Sequence, residues 1–216
     1  MVDRFTVPLL TPTEAAEHLQ IPERTIRYWL AHQAAGRPLV HSVHPERKGW
    51  PSVPFVALVE AYVLRALRNL GLSTDKIGDA AADVRRTFGT EYGLANRRIT
   101  TDGVDVFVHY LETDEIARAG DRQMPFRKVI DDYLRYIVWD DDDDIPKRLT
   151  LRKYDPAVAK VVIDPRFAWG APIVEPARVT VDTILGMWRG GENPDVVADE
   201  YGLSVEQVQA LIRVAA

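Results

Sequence analysis

Two short stretches concentrate side chains able to do chemistry, and they carry opposite charge. "ERTIRY", residues 23–28, places Arg24, Thr25, Arg27 and Tyr28 around a single apolar position, Ile26. Guanidinium groups bond guanine edges in pairs or neutralise phosphate, and hydroxyls bond bases or backbone, so this set suits DNA. "VADEYGLSVEQVQALI", residues 197–212, instead carries Asp199, Glu200 and Glu206, with Asp195 just ahead of it. Those carboxylates repel a phosphate backbone and suit a cationic protein surface.

Other candidate chemistry is thinner. The run Asp140 to Asp144 offers oxygen ligands for a hard cation, but adjacent side chains diverge and no glycine-spaced loop accompanies them. It reads as a solvated turn between two short strands. The histidines, at 18, 32, 41, 44 and 109, lack HxxxH spacing for zinc; His41 and His44 fit a phosphate contact or an ordinary surface. GxSxG, P-loop and GxGxxG patterns are absent, so no catalytic residue, metal ligand or cofactor is assigned, and the chain is expected not to be an enzyme.

The elements that must position the charged stretches are the same in both. "AAEHLQIPERTIRYWL" aligns without a gap with "VADEYGLSVEQVQALI": Ala16 with Ala198, Leu19 with Tyr201, Ile21 with Leu203, Ile26 with Val208, Trp29 with Leu211. The breaks Gln20-Ile21-Pro22 and Gly202-Leu203-Ser204 each end one helix and begin another. Each stretch therefore predicts a helix-turn-helix, whose second helix can lie in a DNA major groove. In the first copy Ile26, Trp29 and Leu30 face inward and the arginines outward.

Charge is graded along the chain. The net value is −5, but residues 1–89 carry +2, residues 90–154 carry −3 and residues 155–216 carry −4. DNA contact thus belongs to the front. There is no cysteine, which excludes disulfides and thiolate metal sites. "MVDRFTVPLLTP" lacks the features of a signal peptide and no apolar run approaches a membrane span, so a cytoplasmic protein with no membrane partner is expected.

After the first hairpin, "LVHSV" and "PSVPF" flank "HPERKGW" as a predicted β-ribbon, a wing with Arg47 and Lys48 at its tip for backbone contact. Helices follow over about 55–70 and 75–88, separated by Gly71 and a Ser73 or Thr74 cap. A hairpin is expected around Thr101-Asp102-Gly103. A one-sided helix is expected through Phe126, Val129, Ile130, Tyr133, Leu134 and Ile137. "VTVDTILGMWRGG" predicts a helix capped by Thr180 or Asp182 before the acidic hairpin.

"TPTEAAEHLQIPERTIRYWL", a wing and "LRALRNLGLSTDKI" together resemble the DNA-binding domain of MerR-like regulators over about residues 9–80, though the asparagine-glycine-tyrosine-arginine wing turn is missing. From 161 to 213, Ile163-Asp164-Pro165, Gly170-Ala171-Pro172 and "GENPDVVADEYGLS" resemble a small bacterial domain found in antitoxins, with "VEPARVTV" replacing the usual glycine-threonine before the arginine. The combination resembles antitoxins of VapBC-type pairs. The expected fold is mainly α with small β elements: a winged helix-turn-helix domain over 1–89, a small α/β connector over 90–155 and a C-terminal helix-turn-helix-like helical domain over 156–216.

The resemblance implies an antitoxin that neutralises a PIN-domain ribonuclease toxin and represses its own operon by binding operator DNA, as a homodimer. Arg24, Thr25, Arg27, Tyr28, Arg47 and Lys48 would then meet DNA, and Asp199, Glu200 and Glu206 the protein partner. The alternative is a small-ligand-responsive MerR-like transcription regulator with Phe126, Tyr133 and Trp139 around its pocket.

Overall fold

The computed structural model describes residues 3–34, 36–100, 105–107, 123–175 and 177–215. After strand β1 (Pro8–Leu10), Thr11 starts helix α1 (Pro12–Leu19). The Thr11 hydroxyl accepts from the Glu14 N–H, the Glu14 carboxylate accepts from the Thr11 N–H, and Pro12 stands where no donor is needed. Helix α2 (Glu23–Ala31) leads directly into a tight hairpin of β2 (Gln33–Ala34) and β3 (Arg37–Pro38). Strand β4 (Val53–Pro54) then runs into helix α3 (Phe55–Asn69), and Ser73 caps helix α4 (Thr74–Phe88) by accepting from the Lys76 N–H.

Residues 53–64 are buried without interruption, so α3 is the central helix and lacks a solvent face there. Helix α4 lays Ile77, Ala80, Ala81 and Val84 against the core, and helix α5 (Gln123–Leu134) adds Ile130 and Leu134. A five-stranded antiparallel meander follows: β5 (Ile137–Trp139), β6 (Pro146–Thr150), β7 (Val161–Ile163), β8 (Ile173–Val174) and β9 (Val179–Thr180). Thr180 caps α6 (Val181–Arg189), and α7 (Pro194–Tyr201) and α8 (Val205–Ala215) complete the chain.

Several predicted elements are rearranged. The sheet runs straight across residues 155 and 156, where the sequence suggests a boundary, because β6 pairs with β7 through Leu149 and Ile163. The ribbon expected at 39–55 does not form as two paired strands. Val43 N–H reaches Ser52 O at 2.9 Å, but Val53–Pro54 pairs with β1, and Pro45 and Pro51 withhold ladder donors. The helix expected through Ile137 ends at Leu134, since the β-branched and aromatic run Ile137-Val138-Trp139 pairs with β6. Arg97–Thr100 forms a short 3-10 turn, and the hairpin expected at 101–103 lies outside the described residues.

The aspartate run forms the expected turn, between β5 and β6, and arginines from the front half neutralise it. Buried Arg4 bonds Asp143, Asp140 at 3.2 Å and the Pro146 carbonyl at 3.3 Å, while Arg97 reaches Asp141 at 3.1 Å. A second seam joins α1 to the turn Arg152–Tyr154 through Lys153 and Glu17, 3.4 Å apart. Gly170 is required at a third seam: a Cβ there would stand 2.9 Å from the Leu9 Cβ, and its φ is +85°.

His18 lies at the second seam, where burial, and then the Lys153 charge, push its pKa from 6.5 down to about 4. The unfolded chain therefore takes up a proton that the folded protein refuses. This contribution to stability is complete above pH 6.5 and lost as the pH falls toward 4, by about 3 kcal/mol in all. His18→Gln should flatten the pH dependence of the urea midpoint across that window, and an unchanged slope would contradict the assignment.

Candidate nucleic-acid interface

Both helical hairpins turn on the same backbone bonds. In the first, Gln20 is left-handed (φ 52°, ψ 49°), Ile21 N–H bonds Ala16 O at 2.9 Å and Gln20 N–H bonds Glu17 O at 3.2 Å. In the second, Gly202 is left-handed (φ 64°, ψ 35°), Leu203 N–H bonds Ala198 O at 2.9 Å and Gly202 N–H bonds Asp199 O at 3.4 Å. These are helix C-terminal locks in which a left-handed residue turns the chain and the next residue bonds back. The aligned pairs Ala16 and Ala198, Ile21 and Leu203, Ile26 and Val208, and Trp29 and Leu211 are all buried.

On α2 the polar face emerges as the spacing predicts. Arg24, Arg27 and Tyr28 are exposed and Thr25 is half-buried on the same helix. Arg27 is already engaged: its Nε and Nη2 bond one Glu23 oxygen at 2.7 and 2.6 Å. Such an exposed i,i+4 pair is worth only about 0.3–0.5 kcal/mol, so exchange of Glu23 for a phosphate costs little. Arg24 makes no ion pair among the described residues. The Tyr28 ring lies 5.1 Å from His32.

Arg47 and Lys48 lie exposed on the loop over 41–52, with the Arg47 guanidinium 5.2 Å above the ring of half-exposed Trp50. No hydrogen bond or ion pair among the described residues joins either side chain to α2. What anchors this loop is not evident from the sequence. Glu60, fully buried on α3, accepts the His41 N–H at 2.8 Å and meets the His41 ring Nδ1 at 2.9 Å. His41 is therefore a structural anchor, and only His44 of the two loop histidines is exposed. Arg85 donates to the Pro38 carbonyl at 2.9 Å and to Glu91 O at 2.7 Å, holding the hairpin that leaves α2. The short spacing between His41 and the hydrophobic run containing a lone Glu60 is the one signal that could have indicated this pairing.

The other hairpin presents a different surface. Asp195, Asp199, Glu200 and Glu206 are exposed and make no ion pair among the described residues, and Val196 stands 47% exposed among them. Ser204 and Gln207 cap α8 reciprocally. The cationic residues of α2 and the acidic residues thus occupy separate hairpins at opposite ends of the chain, while Arg47 and Lys48 stand on the loop between α2 and α3.

Comparison with known proteins matches both ends. Residues 8–81 fit the family described as "Putative DNA-binding HTH domain", and residues 161–215 fit "Protein of unknown function (DUF433)". Across the whole length, the chain is 30% identical to the "Putative antitoxin VapB45" of Mycobacterium tuberculosis, over 99% of this chain and 96% of that one. The chain belongs to the VapB45 antitoxin family. It also resembles the crystal structure of Rv2018 from Mycobacterium tuberculosis, with a TM-score of 0.81 and 28% identity, over 97% of this chain and 100% of the other. The VapB45-like chain therefore carries a DNA-binding helix-turn-helix domain at its front. Among the described residues, no helix is long and apolar enough to cross a membrane.

Gln20 pays left-handed strain that glycine would avoid, whereas Gly202 avoids strain that any Cβ would introduce, with no neighbour within 4 Å of that Cβ. Gln20→Gly should stabilise and Gly202→Ala should destabilise, each by about 1 kcal/mol in chemical denaturation. Effects of the same sign would show that the turns differ.

Proposed function

We propose that this chain is an antitoxin that binds operator DNA through α2, represses its own operon, and neutralises a PIN-domain ribonuclease toxin. The observation that carries this reading is one hairpin backbone used twice with opposite exposed charge, arginines on α2 and carboxylates on α7 and α8. The order helix-turn-helix, loop, then two further helices supports a MerR-like arrangement, with the loop over 41–52 serving as the wing. A homodimer in the cytoplasm would place two α2 helices on successive half-sites. The acidic hairpin would meet the basic surface that a ribonuclease keeps for RNA.

The ligand-responsive alternative draws little support from its aromatic set. Tyr133 packs against Tyr62, with ring centroids 5.8 Å apart, and under the Arg152 guanidinium at 4.3 Å, and the gap it lines holds only about 10 Å³. Trp139 is half-buried in β5, and the Phe126 side chain lies outside the described residues.

Arg24→Ala should weaken binding to the DNA upstream of its own gene by about 1–3 kcal/mol if it reads a base in bidentate fashion. Lys48→Ala should weaken all duplexes evenly and lower the salt slope by roughly one unit. Equal binding by an Arg24→Ala, Arg27→Ala double variant would refute α2 as the reading helix.

The partner side is tested by co-purification with the product of the adjacent gene and by assay of its ribonuclease activity. Asp199→Lys, Glu200→Lys and Glu206→Lys together should break the complex and restore cleavage while leaving DNA affinity intact. An undiminished complex would remove the acidic hairpin from the interface.

A further inference from the structure

A recess on the C-terminal sheet, remote in sequence from α2, has a charge balance that its own residues do not satisfy. It encloses about 420 Å³ between β6, β8 and the loop after β7. Lys147, Arg148, Arg166 and Arg178 line it together with only two carboxylates, Asp164 and Glu175, a local excess of two positive charges.

The two carboxylates are already held. Asp164, 1% exposed, receives the Arg166 guanidinium in bidentate fashion, Nε at 2.9 Å and Nη2 at 2.6 Å, and also the Arg166 backbone N–H at 3.0 Å. Glu175 receives Arg148 Nη1 on one oxygen and Lys160 Nζ at 2.8 Å on the other. Arg148 Nε is buried 3.9 Å from Asp164, with no hydrogen bond among the described residues. Lys147 and Arg178 make no ion pair among the described residues. Asp140 also attracts Lys147 and Arg166 from outside the recess, but Arg4 already bonds that carboxylate, so the cations facing the recess remain in excess.

Arg178 is also held in an unfavourable backbone conformation. Its φ of 57° is left-handed, which costs an L-residue about 1–2 kcal/mol, and its own N–H bonds the Val174 carbonyl at 2.8 Å to keep it there. The result is a guanidinium 5.1 Å over the ring of Phe167, itself a wall of the recess. Ile173 supplies further apolar lining.

We propose that this recess binds a small organic phosphate. A phosphomonoester carries about −1.5 to −2 charge near neutral pH, which matches the excess of two cations better than a single carboxylate does. Its oxygens would accept from Lys147 and Arg178. The volume falls in the range of roughly 300–1,000 Å³ that small-molecule sites occupy, so a group larger than bare phosphate fits, lying against Phe167 and Ile173. This site is independent of the DNA and toxin reading.

The test is calorimetric titration of the full chain, at constant ionic strength, with inorganic phosphate and with phenyl phosphate. Both should saturate, phenyl phosphate the more tightly, and a Lys147→Ala, Arg178→Ala variant with a native circular dichroism spectrum should weaken both by about tenfold or more. An Arg24→Ala, Arg27→Ala variant should bind as the wild type does, which separates this recess from phosphate capture on α2. Absence of saturable binding, or binding that survives loss of Lys147 and Arg178, would overturn the proposal. Equal affinity for the two probes would overturn its organic part.

Discussion

Helix α3 is the constraint on which the rest of the structure depends. With every residue from Val53 to Leu64 buried, it must be covered on all sides, and the chain before and after it supplies that cover: α4, α5 and β6 pack on it, and β4 leads into it. One carboxylate, Glu60, is trapped inside this helix and must be paired, because an isolated buried charge costs several kcal/mol. The pairing falls to His41, at the start of the basic loop. Arg65, also on α3, donates to the Leu19 carbonyl at the end of α1. The polar features of the core helix thereby fix both the first helical hairpin and the loop over 41–52, which gives the exposed arginines a firm base.

The helical hairpins were legible in the sequence because their determinants are local. Apolar residues at helical spacing, a turn residue and a cap all lie within one short stretch, and the burial of Ile26, Trp29, Val208 and Leu211 follows that spacing. The outward set on α2 was legible for the same reason. The loop over 41–52 was not, since alternating residues imply a strand whose partner the sequence does not name. Only the two residues after this loop, Val53–Pro54, form a strand, and their partner is β1, through Leu10 and Val53; the prolines bar the simpler ribbon. Arg4 bonding Asp140, separated by 136 positions, and the pairing of β6 with β7 across a supposed boundary are likewise products of long-range packing. The paired acids and bases around Asp164 are invisible to any motif, although Ile163-Asp164-Pro165 marks the place.

Two hairpins with one backbone show how little of their role the fold alone decides. Left-handed Gln20 and Gly202 make the same lock, and equivalent apolar residues fill the same positions, so the difference lies in exposed side chains. Local sign matters more than the net charge of −5: the front of the chain is positive and the end negative. Function on such a scaffold follows from the site and not from the topology.

If α2, and not its acidic counterpart, meets DNA, binding must protect the front of the chain alone. Hydrogen exchange of the full chain, with and without a duplex carrying the sequence upstream of its gene, tests it most directly. New protection is expected over residues 22–31 and 41–50, with residues 194–215 unchanged. Protection confined to residues 194–215, with none on α2, would contradict it.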